Sequence, residues 1–379
     1  MVLGIIHYHE RAPMDTSALL QPRIQDRESL QDFCDALTDH VPKIERNIAQ
    51  LKLAPGDRAL IADLFRAIHN IKGDAALCKV DLAEMIAHPI ETLLGRLRNG
   101  EIGFSETLAE AILLAIDRLE LATEALVGSR PVSHLKLVEL VGGLDDLARA
   151  SADTLDEKAV FLIEAVTGFR PVGAAQTAKR PVSVFARGLE SSTADLRFFH
   201  SLALQYEARS PLFKGRNERQ LRLALETNEI AGKPVDPVQL EAAVYMHDIG
   251  MLFLPESVWL KAGKLSDDEK RLLQDHAGFC AGLLQRMEGW QAAAEIVLQH
   301  HEMPDGAGYP RGLKSDQITP GAKILAIVDT FEAVTLKHSQ RGDTRSLVRA
   351  IAEINACDNQ FAPEWIAHFN TVVRRMVEG

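Results

Sequence analysis

The residues of this chain best suited to chemistry are six imidazole and carboxylate donors: His247 with Asp248, His276, His300 with His301, and Asp329. Borderline first-row ions such as iron, manganese and zinc take these ligands, and six donors exceed the four that a single zinc ordinarily needs. The set therefore points to two metal ions. Such a pair hydrolyses phosphodiesters by lowering the pKa of a water and holding the attacking and leaving oxygens in line, with no protein nucleophile. Asp248, a carboxylate able to bridge two ions, and His301 are the residues on which catalysis would rest.

Donors so far apart in sequence need a fold to assemble them. His247 and Asp248 end an apolar helical run, LEAAVYMHD. His276 falls inside SDDEKRLLQDHAGFCAGLL, where Ser266 followed three residues later by Glu269 reads as a capping box. His300 and His301 are adjacent, so on a helix they diverge by about 100°, which lets them serve different ions. Asp329 ends AKILAIVD. Between them lies a Gly-, Pro- and Asp-rich loop from Met303 to Gly312, containing Asp305, Gly306, Gly308, Tyr309 and Pro310. Its glycines permit close backbone approach. Tyr309 could contact a substrate or a partner domain.

Composition bounds the rest. A length of 379 residues allows two or three domains, and 46% apolar with 25% charged residues is ordinary for a globular protein. A formal charge of −11 argues against binding to nucleic acid polymers or anionic membranes. Cys34, Cys78, Cys280 and Cys357 are isolated, so buried thiols in a reducing compartment are expected rather than disulfides or a zinc ribbon. With no long uncharged apolar run and no signal-like N-terminus, a cytoplasmic protein is expected. Periodicity is helical throughout, and the class expected is all-α. Punctuation by proline and glycine suggests an N-terminal tail over 1–25, a four-helix bundle over 26–130, a helical connector over 131–180 and a second helical domain over 181–379.

The stretches YMHDIGMLFLPESVWLKAGKLSDDE, QDHAGFCAGLL, VLQHHEMPDGAGYPRGL and ITPGAKILAIVDTFEAVT, running from about Ala242 to Arg341, resemble the HD-GYP branch of the HD phosphohydrolase superfamily. Members of that family hydrolyse cyclic di-GMP at a centre of two or three metals. His276 follows Asp248 by 28 residues, His300 follows His276 by 24, and Asp329 follows His301 by 28, separations that agree with the family. The resemblance implies His247, Asp248, His276, His300, His301 and Asp329 as ligands to two transition-metal ions, iron or manganese. It also implies Asp305, Gly308, Tyr309, His338 and Arg341 as substrate-binding positions, with GGDEF-type proteins as further partners at the GYP loop. A homodimer is left open. The chain departs from the family in four places. Glu332 stands for the second aspartate of D-x-x-D-A, a milder change, and His338 and Arg341 fall where members often carry an arginine and a lysine. The other two weigh more. Arg216 or Asn217 stands where an early ligand histidine is expected, and Met251 stands where the family has the lysine of HDxxK.

The N-terminal bundle carries a second candidate. In IADLFRAIHNIKGD, Ile61, Leu64, Phe65, Ile68 and Ile71 define a buried stripe, and His69 stands at its edge with Lys72 and Gly73 beyond it. Histidine, a nearby cation and a glycine that clears space for a partner suit a phosphoacceptor. H-x-x-K-G in this setting resembles the histidine phosphotransfer (HPt) domain, and the resemblance implies a histidine kinase or a receiver domain as partner. His88, on the next helix, is expected to be an ordinary surface or packing residue.

Together these readings favour a metal-dependent cyclic di-GMP phosphodiesterase, yielding linear dinucleotide or GMP, coupled to a phosphorelay through His69. Two alternatives stay open: a degenerate module that binds metal, nucleotide or partner without hydrolysis, and a hydrolase acting on another nucleotide.

Overall fold

In a computed structural model of the chain, residues 17–22, 24, 26–170, 190–261, 265–340, 347–357 and 359–378 are described. The fold is all-α, as the periodicity predicts. The described residues form sixteen α-helices, and their β-pairing is confined to an isolated bridge between Asp305 and Lys314. They divide into two compact units, Met1–Arg170 and Pro171–Gly379.

In the first unit, a short helix α1 (Ser17–Leu20) precedes the four long helices α2 (Arg27–Leu53), α3 (Arg58–Leu77), α4 (Asp81–Arg98) and α5 (Glu106–Val127). Each has a local cause. Asp26 caps α2 by accepting from the amides of Glu28 and Ser29, and Asp57 caps α3 through Ala59 and Leu60. Leu30, Phe33, Leu37, Val41, Ile44, Ile48 and Leu51 line one face of α2 at spacings of three and four, and all are buried. Ile61, Leu64, Ile68 and Ile71 do the same on α3, whereas Phe65 is half-buried at the stripe's edge.

Helix α5 differs: its buried residues run almost all round, from Leu108 to Leu126. A helix apolar on all sides must be covered on all sides. Helices α6 (Leu137–Arg149) and α7 (Leu155–Thr167) lie within the stretch expected to act as a connector. They pack together, α6 on α4 and α7 on α5, inside the first unit. At their crossing Gly143 faces Leu162, whose Cδ1 would lie 2.4 Å from a β-carbon there.

The second unit contains α8 (Glu190–Glu207), α9 (Arg216–Ile230), α10 (Pro237–Met246), α11 (Glu256–Trp259), α12 (Asp267–Gln285), α13 (Gln291–Gln299), α14 (Pro320–Gln340), α15 (Leu347–Asn355) and α16 (Pro363–Glu378). Apolar α10 sits among α8, α9, α13 and α14, so its C-terminal end points the following residues into the interior. The capping box is formed: Ser266 Oγ accepts from the Glu269 amide at 3.2 Å, and Glu269 accepts from the Ser266 amide at 2.6 Å. Of the four cysteines only Cys280 is buried. Cys34, Cys78 and Cys357 are half-buried, because each falls beside an apolar stripe or near a helix end.

No helix among the described residues is long and apolar enough to cross a membrane. Ser266→Ala is expected to lower the stability of the α12 unit by about 1 kcal/mol through loss of the reciprocal cap. Urea denaturation of the full chain, followed by circular dichroism, measures it.

Candidate functional site

The end of α10 delivers His247 as the helix cap and Asp248 one residue later, where a 3-10 turn, Ile249–Phe253, begins. That turn packs on α12 so closely that a β-carbon on Gly250 would lie 2.3 Å from the His276 carbonyl oxygen. The Gly250 amide donates to Cys280 Sγ at 2.8 Å, and the Cys280 thiol donates to the His247 carbonyl at 3.1 Å. His276 comes from α12, His300 caps α13, His301 follows it, and Asp329 lies within α14.

These residues converge. Ligand atoms of His276, His300 and His301 lie within 4.8 Å of one another, and so do those of His247, Asp248 and Asp329. Adjacent His300 and His301 do not diverge as they would on a helix. Helix α13 ends at Gln299, the two rings are 3.9 Å apart, and both contribute to the same cluster.

Three of the imidazoles are held alike. The Nδ1–H of His247 donates to the Val244 carbonyl at 2.8 Å, that of His276 to Leu273 at 2.6 Å, and that of His300 to Val297 at 2.6 Å. Each bond makes Nδ1 the donor and turns Nε2 into the site, as in histidines that ligate metals. The His276 and His300 Nε2 atoms face each other at 3.4 Å, with no proton between them in these tautomers. His247 Nε2 is buried without a hydrogen-bond partner and stands 3.4 and 3.5 Å from Asp248 and Asp329. Opposed lone pairs and an orphaned buried nitrogen fit a cation among them.

The charges are consistent with such a site. Burial, reinforced by His301 and His276, pushes His300 well below its ordinary value. Burial takes His301 down to about 4, against the pull of Asp329, so both rings are neutral at pH 7. Burial opposes ionisation of Asp248 and Asp329, yet His247 and Arg216 hold both carboxyls well below the usual range. Burial likewise opposes a charge on His247, and the two carboxylates in turn raise it above its ordinary value.

Of the two residues standing at the expected early histidine, only Arg216 faces the donors. Its Nη2 lies 2.7 Å from Asp248 Oδ2 and 2.7 Å from Asp329 Oδ1. Asn217 turns the other way and donates to the Ala203 carbonyl and to Glu207. His200 packs on Tyr245 instead, ring centres 4.9 Å apart. Met251 is buried in the 3-10 turn.

The GYP loop folds back over His301. Tyr309 donates its amide to the His301 carbonyl at 3.2 Å and stacks on the His301 ring at 4.8 Å. Gly308 makes this approach feasible: a β-carbon there would lie 2.3 Å from the Met303 nitrogen. Glu302 does not join the donors. Its buried carboxylate accepts from the amides of Arg311 and Leu313, at 2.7 and 2.8 Å, and so pins the loop. Asp305 is exposed and accepts from the Ala307 amide at 2.9 Å, closing the tip of the loop. Arg341 and the side chain of His338 lie outside the described residues.

In the first unit His69 is well exposed, and its Nδ1 is 2.6 Å from Glu91 Oε1 on α4. Lys72 pairs with the other oxygen of Glu91. Burial opposes ionisation of Glu91, but Lys72 and His69 hold it below its usual value. A carboxylate at Nδ1 places the ring proton there and leaves the Nε2 lone pair free to attack. Phe65 stacks on His69 at 6.2 Å, and the Arg98 guanidinium lies over the Phe65 ring, Cζ 4.1 Å from its centre. Gly73 is exposed, with nothing within 4 Å of a β-carbon there, and His88 is a surface residue. Glu91 is the member of this group that sequence reasoning missed, since no spacing links it to His69.

Comparison with known families places both units. Residues 28–122 match the model of the Hpt domain, and residues 206–364 match that of the HD domain. The chain is thus an HD-domain protein with an N-terminal Hpt domain. Over 136 residues the chain is 32% identical to a 3'3'-cGAMP-specific phosphodiesterase 3 of Vibrio cholerae, covering 36% of this chain and 30% of that protein. A cyclic di-GMP phosphodiesterase of Thermotoga maritima is 32% identical over 144 residues, 37% of this chain and 39% of the relative. The cyclic di-GMP phosphodiesterase response regulator RpfG of Xanthomonas campestris is 38% identical over 120 residues, 31% of this chain and 32% of the relative. The match thus spans well under half the length of each of these three relatives.

The geometry makes a selective expectation about metal. After anaerobic purification with iron or manganese supplied, elemental analysis should find metal in the wild type and about 10-fold or more less in His300→Ala. His200→Ala should keep the wild-type content.

Proposed function

We propose that the protein is a metal-dependent cyclic di-GMP phosphodiesterase that opens its substrate to linear dinucleotide or GMP, and that phosphorylation of His69 couples it to a two-component relay. The observation carrying the hydrolase reading is the convergence of four imidazoles on Asp248 and Asp329, three of them fixed from behind by a carbonyl with Nε2 turned inward. Iron or manganese suits this mixture of imidazole and carboxylate. When bound, the metal supplies an acidified water and a positive charge against the phosphodiester.

The chain's own groups do the rest. Asp248 points Oδ1 toward His276 and Oδ2 toward the His247 and Arg216 side, so one carboxylate orients both halves of the site. His301, neutral at pH 7, presents its ring beneath Tyr309, and the Tyr309 ring offers a flat surface at the mouth for a base. Asp305, Gly308 and Tyr309 form the loop side on which a nucleotide would rest, and the same loop is where a GGDEF-type partner would dock. At the N-terminal unit, His69 Nε2 is the acceptor, Glu91 positions the ring, and Lys72 adds a cation beside the incoming phosphoryl group. A histidine kinase or receiver domain is the donor this requires.

Two features favour a second reading, a module that binds without hydrolysing: Arg216 stands among the donors, and Met251 offers no cation to the scissile phosphate. Product chromatography with cyclic di-GMP, with iron or manganese, separates the readings. Asp248→Ala is expected to lower turnover by about 100-fold or more, on the scale of a single positioned catalytic group. Met251→Lys is expected to raise it. Binding without cleavage under every metal would leave the module reading. For the relay, incubation with a phosphorylated receiver domain should give an acid-labile, base-stable phosphate that is lost in His69→Gln. Labelling that persists in His69→Gln would remove the phosphoacceptor role.

A further inference from the structure

Helix α9 opens with Arg216, a residue only 6% exposed whose guanidinium lies among the His247, Asp248 and Asp329 donors. It is locked there from several sides. Both carboxylates accept from Nη2 at 2.7 Å, the Tyr206 and Phe213 rings lie 5.7 and 5.6 Å from Cζ, and Gln220, one turn on, donates to the same Asp329 oxygen at 3.1 Å. Guanidinium cannot shed its proton within a protein, so the charge is permanent. An ion bound by these oxygens would sit at about 2.0–2.2 Å from them and so directly against the guanidinium, in a buried place where water screens little. The two cations compete for the same oxygens.

We propose that Arg216 is the resident cation of the His247, Asp248 and Asp329 set and excludes a metal ion from it, leaving one ion to His276, His300 and His301 with Asp248 Oδ1. The split use of Asp248 fits this division: Oδ2 is spent on Arg216, while Oδ1 stands 3.6 Å from His276 Nε2. Asp329 then serves as an anchor for α9 rather than as a metal ligand, a role shared with Glu332, which pairs with Arg219 one turn along α14. The inference rests on the metal-dependent reading of the site and changes its stoichiometry.

Metal per chain decides it without reference to activity. The full chain is stripped with chelator and reloaded anaerobically with iron(II) or manganese(II), and ions are counted by elemental analysis. About one ion is expected in the wild type and about two in Arg216→His, where an imidazole completes the second set. Asp329→Asn should keep the single ion, and His300→Ala should lose it. This second pair decides the matter if Arg216→His does not fold. Two ions in the wild type, no gain in a folded Arg216→His, or equal losses in Asp329→Asn and His300→Ala would overturn the proposal. Absence of metal from both the wild type and a folded Arg216→His would instead bring down the metal-dependent reading beneath it.

Discussion

The second unit is organised by a requirement that buried imidazoles impose. A neutral histidine in the interior has one donor and one acceptor, and neither can be left to water. Here His247, His276 and His300 each satisfy the donor with a carbonyl three residues back, so the acceptors all point to one place. Every element that carries a donor must therefore end or pass at that place. Helices α10 and α13 end there, α12 and α14 pass beside it, and Gly250 and Gly308 remove the side chains that would hold the neighbouring backbones apart.

Concentrating carboxylates there creates a second demand. Asp329 and Glu332 lie one turn apart on α14, and both are directed at α9. Helix α9 answers with Arg216, Arg219 and Gln220, all on one face. A buried ion pair is weak evidence of net stability, because desolvation offsets much of the attraction. Removing one partner is far more costly, since it leaves a buried charge uncompensated. The pairing of α9 with α14 is thus better understood as fixing which helix face is presented to the donor set.

Much of this was legible in the sequence, for identifiable reasons. Apolar stripes at spacings of three and four gave the helices, because burial of one face decides helix placement. The donor set was legible because its residue types are unusual at apolar helix ends. The rest depended on packing. Arg216 and Asn217 are neighbours that differ by about 100° around α9, and only the docking of that helix decides which enters the site. His300 and His301 were expected to part as they would on a helix, but the helix stops one residue before them. Glu302, next to the two histidines, turns away from the donors and satisfies two loop amides, which only the loop's folding decides. Glu91 reaches His69 across an interhelical contact that no sequence spacing encodes.

Cys280 is the one thiol wholly enclosed, held between the Gly250 amide and the His247 carbonyl. Burial pushes its pKa up, which suppresses the thiolate that alkylating reagents attack. It reacts only when the turn after α10 lifts from α12. The half-buried Cys34, Cys78 and Cys357 report on other parts of the chain. The molecule thus contains an internal clock: the rate at which Cys280 becomes modifiable, relative to the other three, measures how often the histidine-bearing turn opens, and an ion that ties His247 or Asp248 to His276 would slow it.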